Sequence, residues 1–208
     1  MNDKKKSHDV LGVQPLAKAV EIATKGAIDG AASFLSRICL PAAEEFGLLL
    51  KERVSHWRTQ NLVAIINKTE SLLQEHGGVK NLKAHPKIIN EILEKGSWTD
   101  DSNIQEMWAG LLASSCTKDG SDESNLVFVN LLGQITSAQA RFFNHVCLNT
   151  QKKLSIDNLV YAESMNISPI QLVEIWRDSD LHRIDRELDH LRALELIRGA
   201  SLYTMKSM

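Results

Sequence analysis

From Phe46 to Leu73 the apolar residues return at helical spacing: Phe46, Leu49, Leu50, Val54, Trp57, Leu62, Ile65, Ile66, Leu72 and Leu73. Recurrence every three or four residues puts them along one side of a helix, whereas a strand would alternate. Pro41 suits the first turn, where its missing N–H is not needed. Glu44 and Glu45 follow in the opening turns, where the helix dipole favours negative charge. Gly77 and Gly78 form a natural terminator. One helix over this span, rising about 1.5 Å per residue, would be roughly 50 Å long. A small core does not need that length, so part of the stripe is expected to cover the first helix or a partner, and self-association becomes an expectation.

The rest of the chain repeats the pattern on a smaller scale. A helix from about Pro15 to Arg37 has a side of small residues (Ala17, Val20, Ala23, Ala27, Ala31, Leu35) and contains the pair Gly26 and Gly30, the spacing of a close helix crossing or a flexible helix. Further helices are expected from Pro86 to Lys95 and from Ser102, with capping-box spacing to Gln105, to about Ser115. Others should cover 126–135 and 138–148, begin after Ser155 and at Ser168-Pro169, and run from an Asp180 cap to Gly199. Only 5% of residues are aromatic and four are proline, which favours helices over a β-sandwich. The expected class is all-α: a long-helix N-terminal bundle followed by a smaller, winged-helix-like helical part. Residues 1–14 read as a disordered leader, 15–116 as the bundle, 117–124 as a polar loop, and 125–208 as a C-terminal subdomain with a short strand over 200–205.

Composition excludes more than it proposes. A chain of 208 residues with 43% hydrophobic content can bury a sizeable core, and a net charge of −2 gives no general pull toward nucleic acid or anionic membrane. Cys39, Cys116 and Cys147 are widely spaced, lie in apolar stretches and read as buried free thiols, which fits a reducing cytosol. No zinc spacing is present, so no metal and no cofactor is expected. Residues 16–50 are apolar but carry Lys18, Glu21, Lys25, Asp29, Arg37, Glu44 and Glu45, too many charges for a spanning helix.

Chemistry is equally sparse. His182, Asp185, Asp189 and His190 share a helix on which a metal site is conceivable, but alternating charges beside an apolar stripe also make an ordinary solvated face, the preferred reading. The same helix sets Arg183, Arg186, Arg192 and Arg198 against Asp180, Asp185, Glu187, Asp189 and Glu195, without the basic excess a phosphate-facing surface needs. No G-x-S-x-G, Walker loop or H-E-x-x-H occurs. Glu44 and Glu45 point about 100° apart on a helix and do not converge as an acid–base pair. An enzyme is disfavoured.

Several ordered segments carry a resemblance. Leu40-Pro41-Ala42-Ala43-Glu44-Glu45-Phe46-Gly47-Leu48-Leu49-Leu50 leads into Trp57-Arg58; Gln105-Glu106-Met107-Trp108-Ala109-Gly110-Leu111-Leu112-Ala113 follows an acidic turn; then come residues 130–140 and 188–197. Over about residues 25–200 the chain resembles the Abi-alpha family of bacterial proteins, whose name ties it to abortive infection and phage resistance. Phe46 stands where the family pattern has an aliphatic residue, and the sequence ends soon after the expected strand. The resemblance implies a setting, antiphage defence, and no catalytic residues. It marks Pro41, Glu44, Glu45, Gly47, Trp57, Arg58, Trp108, Leu111 and Leu112 as motif and interface candidates. The expectation is a cytoplasmic, non-enzymatic interaction protein that binds a protein partner or phage component through its long-helix half. The rivals are a membrane-perturbing effector acting through residues 15–50 and a DNA-binding regulator using the C-terminal helices.

Overall fold

The computed structural model describes residues 13–50, 55–158 and 160–198. Helices dominate: α1 (Val13–Ile38), α2 (Leu40–Leu49), α3 (Ser55–Glu75), α4 (Pro86–Gly96), α5 (Ser102–Ser114), α6 (Leu126–Leu132), α7 (Ser137–Asn149), α8 (Pro169–Trp176) and α9 (Leu181–Ala193). Two antiparallel strand pairs join them, β1 (Lys83–Ala84) with β2 (Cys116–Thr117), and β3 (Lys152–Leu154) with β4 (Val160–Ala162). The chain forms two compact units, the first drawn from Met1–Thr99 and Ala109–Asn125, the second from Asp100–Trp108 and Leu126–Met208.

In the first unit α1 lies against α2 and α3, and α4 against α2 and α3. The expected single helix from Pro41 to Gly77 is described as two, α2 and α3; residues 51–54, Val54 among them, lie outside the described residues, as do the leader up to residue 12 and the expected strand over 200–205. The apolar stripe is largely covered by the chain itself. Phe46, Leu62 and Ile66 are fully buried beside Phe34, Leu35, Ile88, Ile89 and Ile92. Gly77, at φ 110°, ends α3 as anticipated. The Gly78 N–H returns to the Leu73 carbonyl at 2.8 Å, the closure expected of a glycine-terminated helix. At α5 the cap stands one residue earlier than the capping-box spacing suggested. The Asp101 carboxylate accepts from the Asn103 N–H at 3.0 Å and from the Ile104 N–H at 3.3 Å. The Ser102 hydroxyl turns instead to Glu106, so the carboxylate takes the capping role.

The loop after β2 is tightly ordered. Asp119 accepts from the Ser121 hydroxyl, the Ser121 N–H and the Thr117 hydroxyl, and these bonds hold its carboxyl below the usual carboxylate range. Of the three thiols only Cys39 is fully inside; Cys116 is half-buried and Cys147 exposed, so the uniform buried reading does not hold. Burial pushes the Cys116 thiol up to about 11, which keeps it protonated and unreactive.

Gly26 and Gly30 are exposed on α1, and a Cβ built on either would meet nothing within 4 Å. Among the described residues they therefore mark no close crossing. Glycine inside a helix loses about 1 kcal/mol relative to alanine. The pair Gly26→Ala/Gly30→Ala should accordingly stabilise the chain by about 1–2 kcal/mol, read as a raised denaturant midpoint. A loss of stability would mean that α1 is bent or contacted there.

The second unit is built on a core of Phe142, Leu172, Trp176, Ile184, Leu188 and Leu191 from α7, α8 and α9. Phe142 and Trp176 pack with ring centroids 4.6 Å apart. Capping boxes start α7 (Thr136 with Gln139) and α8 (Ser168 with Gln171), and Asp180 caps α9. The helix expected after Ser155 is instead the turn between β3 and β4. The Ser155 hydroxyl and carbonyl accept from the Asp157 and Asn158 N–H groups, as turn-forming serines do. Asn158 completes that turn at φ 59°. The last helix also stops early, at Ala193 and not at Gly199. Glu195 enters the left-handed region at φ 59°. The Leu196 N–H then bonds the Leu191 carbonyl at 3.0 Å, a closure of the kind that ends helices at left-handed residues. That reversal folds Leu196 and Ile197 back onto the core.

Candidate interaction site

Three polar residues sit on the core-facing side of α3 at helical spacing: Arg58, Asn61 and Thr69, all at most 9% exposed. Buried polar groups need partners, and each of these reaches a neighbouring element. Thr69 donates to the Ile65 carbonyl at 2.9 Å and lies 3.4 Å from the Ala109 carbonyl. Asn61 donates to the Ser97 carbonyl at 2.9 Å. Arg58 makes the richest set, with Nε to the Ser97 hydroxyl at 2.9 Å and a terminal nitrogen to the Glu94 carboxylate at 2.9 Å. Its guanidinium lies 4.4 Å from the centre of the Trp98 ring, a cation–π contact.

Ser97 closes the C-terminus of α4, and its hydroxyl also donates to the Glu94 carbonyl at 2.8 Å. The Trp98 indole N–H reaches the other Glu94 oxygen at 3.3 Å. Trp57 stands beside Trp98 with ring centroids 6.4 Å apart and planes tilted by 55°. Tilted rings at that separation are a favourable aromatic geometry. The two indoles remain 41% and 55% exposed, although Arg58 and Ser97 beneath them are buried; Glu94 faces solvent. The outcome is an aromatic surface anchored on the buried Arg58–Ser97 pair and bridged at the surface by Glu94.

The other candidates named from sequence are scattered. Pro41 occupies the second position of α2, Glu44 and Glu45 are exposed on it, and Gly47 has open space where a Cβ would stand. Among the described residues no hydrogen bond or ion pair joins this group to Trp57 and Arg58. Trp108 and Leu112 are buried, at 2% and 0% exposure, and Leu111 is half-buried, so their place is packing. Trp98, Ser97, Glu94 and Asn61 escaped the sequence reading because their partners lie 36 to 39 residues away. The available signal was Arg58 and Asn61 interrupting the apolar side of α3 at the spacing of core positions.

On α9 the structure sorts the charges that sequence leaves alternating. Asp185 is not solvated but buried, 3.8 Å from Arg192, which also pairs with Asp189. Arg183 pairs with Asp178 at 3.2 Å. Across from them Gln139 is fully buried and locks α7 to α9. Its oxygen accepts from the Thr136 N–H, and its nitrogen donates to the Glu187 carbonyl at 3.0 Å. That orientation sets the Gln139 nitrogen 2.9 Å and its oxygen 3.2 Å from His190 Nδ1, so a partner exists for either tautomer. Among the described residues no three His, Cys, Asp or Glu side chains gather as a metal set, and no helix is long and apolar enough to cross a membrane.

With this geometry in hand, a family model described as abortive infection alpha matches residues 58–204. The chain belongs to the abortive infection alpha family. The match takes in Arg58, the Trp98 clamp, the Trp108 helix and both Gln139 and His190, while Trp57 and the segment 41–47 precede it. Comparison with curated proteins and with solved structures finds no match. Membership in the abortive infection alpha family associates the chain with abortive-infection-type defence and assigns no reaction to any residue.

Proposed function

We propose that this chain is a non-enzymatic interaction protein of abortive-infection defence against phage, and that it recognises a protein partner through the Trp57–Trp98 surface. The observation that carries the reading is the contrast between the exposed indoles and the buried Arg58 and Ser97 that, with the solvent-facing Glu94, hold Trp98 in place. Tryptophan and arginine dominate the energetics of protein interfaces, and anchors fixed before binding lose little entropy on docking. The contacts of these indoles contribute only about 1 kcal/mol to folding, little for two large apolar side chains left half in water.

The membrane-perturbing alternative has less support, because Ala31, Phe34, Leu35 and Ile38 of α1 are buried within the chain's own core. The test is a phage challenge of bacteria carrying the gene with its natural neighbours, at low and high multiplicity. Protection at low multiplicity with culture collapse at high multiplicity is expected for the natural sequence. Trp57→Ala should abolish protection while leaving the circular dichroism spectrum unchanged. Full protection by Trp57→Ala and by Trp98→Ala would remove this surface from the mechanism.

A further inference from the structure

In the first unit three cationic side chains converge on a cleft that no carboxylate lines. The cleft, of about 480 Å³, is walled by Arg37 at the end of α1, Gln74 in the last turn of α3, and Lys80, Asn81 and Lys83 on the segment that enters β1. Arg37 is held by side-chain contacts, and Lys80 and Lys83 are placed by the backbone that carries them. Arg37 lies over the Phe34 ring at 5.6 Å and pairs with Glu70, which stands outside the lining. Lys80 and Asn81 belong to a tight turn closed by the Leu82 N–H on the Val79 carbonyl at 3.1 Å. Asn81 adopts φ 65°, a left-handed conformation that asparagine tolerates better than most residues and that keeps an amide at the cleft. Lys83 is fixed by pairing with Thr117 and by the approach of Gly120, where an added Cβ would lie 2.9 Å from the Lys83 Cβ.

Among the described residues Lys80 and Lys83 make no ion pair, and only Glu70 offsets Arg37. Two positive charges are thus left facing a concave site with uncharged amides beside them. The cleft beside α9 offers a contrast: Glu187 lines it, and its Arg183 is already paired with Asp178. We propose that the Arg37–Lys80–Lys83 cleft binds a small phosphate-bearing ligand of nucleotide size. The cations engage its phosphates, and the Gln74 and Asn81 amides hydrogen-bond its polar remainder. The volume lies within the range of small-molecule pockets, and point charges around a concavity are the usual way proteins hold phosphate. This site is separate from the Trp57–Trp98 surface, and neither proposal depends on the other.

The experiment is calorimetric titration of the full chain with ATP, tripolyphosphate and inorganic phosphate, and in a separate arm with a short single-stranded DNA. ATP or tripolyphosphate should bind saturably, one per chain, and weaken as salt rises. Lys80→Ala/Lys83→Ala should weaken binding at least about tenfold, because both charges point at one ligand. Arg183→Ala/Arg186→Ala should leave it unchanged. Alanine keeps the Cβ on which Gly120 packs, and circular dichroism reports whether the double variant folds. Should it not fold, protection of Lys80 and Lys83 from acetylation by ATP in the natural chain decides the matter. No saturable binding of either probe, equal binding by the folded double variant, binding to DNA alone, or unprotected lysines would each overturn the proposal.

Discussion

Trp108→Ala should destabilise the chain by about 3–5 kcal/mol, the range for deleting a buried large aromatic side chain. Trp108 is 2% exposed and heads the largest of the buried side chains, with Ala109 and Leu112 fully buried beside it on α5. Its removal takes away apolar contact and leaves a space that fixed helices cannot close. A domain's whole stability is about 5–15 kcal/mol, so the variant should lose much of its denaturant midpoint and show exposed hydrophobic surface at modest temperature. Trp98→Ala is the internal control. That indole is 55% exposed and contributes chiefly the Arg58 contact. Its loss should cost about 1 kcal/mol. Equal losses at the two tryptophans would contradict the division between a core indole and a surface one.

Much of the fold is legible because its signals are local. Pro86 and Gly96 bracket α4 in sequence and in structure, and Ile88, Ile89, Ile92 and Leu93 form its buried side. Asp180, Ser168 and the Gly77-Gly78 pair end or begin helices as their chemistry requires. The misses share a cause. At Glu195 nothing local announces a left-handed residue; the reversal is driven by the burial of Leu196 and Ile197 on a core assembled from α7 and α8. The β3–β4 turn resembles a helix start in sequence because Ser155 and Asp157 cap turns and helices through the same bonds. The candidate site was half legible. Trp57 and Arg58 stand out, but the clamp is completed by Glu94 and Ser97 from another helix, and no period in the sequence points across that distance. The cationic cleft is the extreme case, since Arg37 and Lys83 meet only through tertiary packing.

Arg141→Met should cost about 2–4 kcal/mol, because three elements of the second unit depend on one guanidinium. Arg141 Nε and a terminal nitrogen reach the carbonyls of Ile175 and Trp176 at 3.4 and 3.3 Å, satisfying the end of α8, and its other terminal nitrogen pairs with Asp101 at 3.3 Å. Methionine preserves most of the packing stem but leaves two helix-end carbonyls without that donor and Asp101 without that countercharge. Breaking a buried pair costs about 3–5 kcal/mol. These side chains retain 22% and 19% exposure and the bonds are long, so water offsets part of that loss. Arg141→Lys should fall between, since an ammonium can face Asp101 but cannot span both carbonyls as a planar fork does. Asp101→Asn should cost less than Arg141→Met, because the amide oxygen still caps Asn103 and Ile104. Chemical denaturation of the three variants and of the Arg141→Met/Asp101→Asn double separates the contributions. If the charge pair carries the effect, the double variant will be little worse than Arg141→Met alone. Strict additivity would assign the stabilisation to the α8 carbonyls, with Arg141 serving as a helix cap and Asp101 as an independent one.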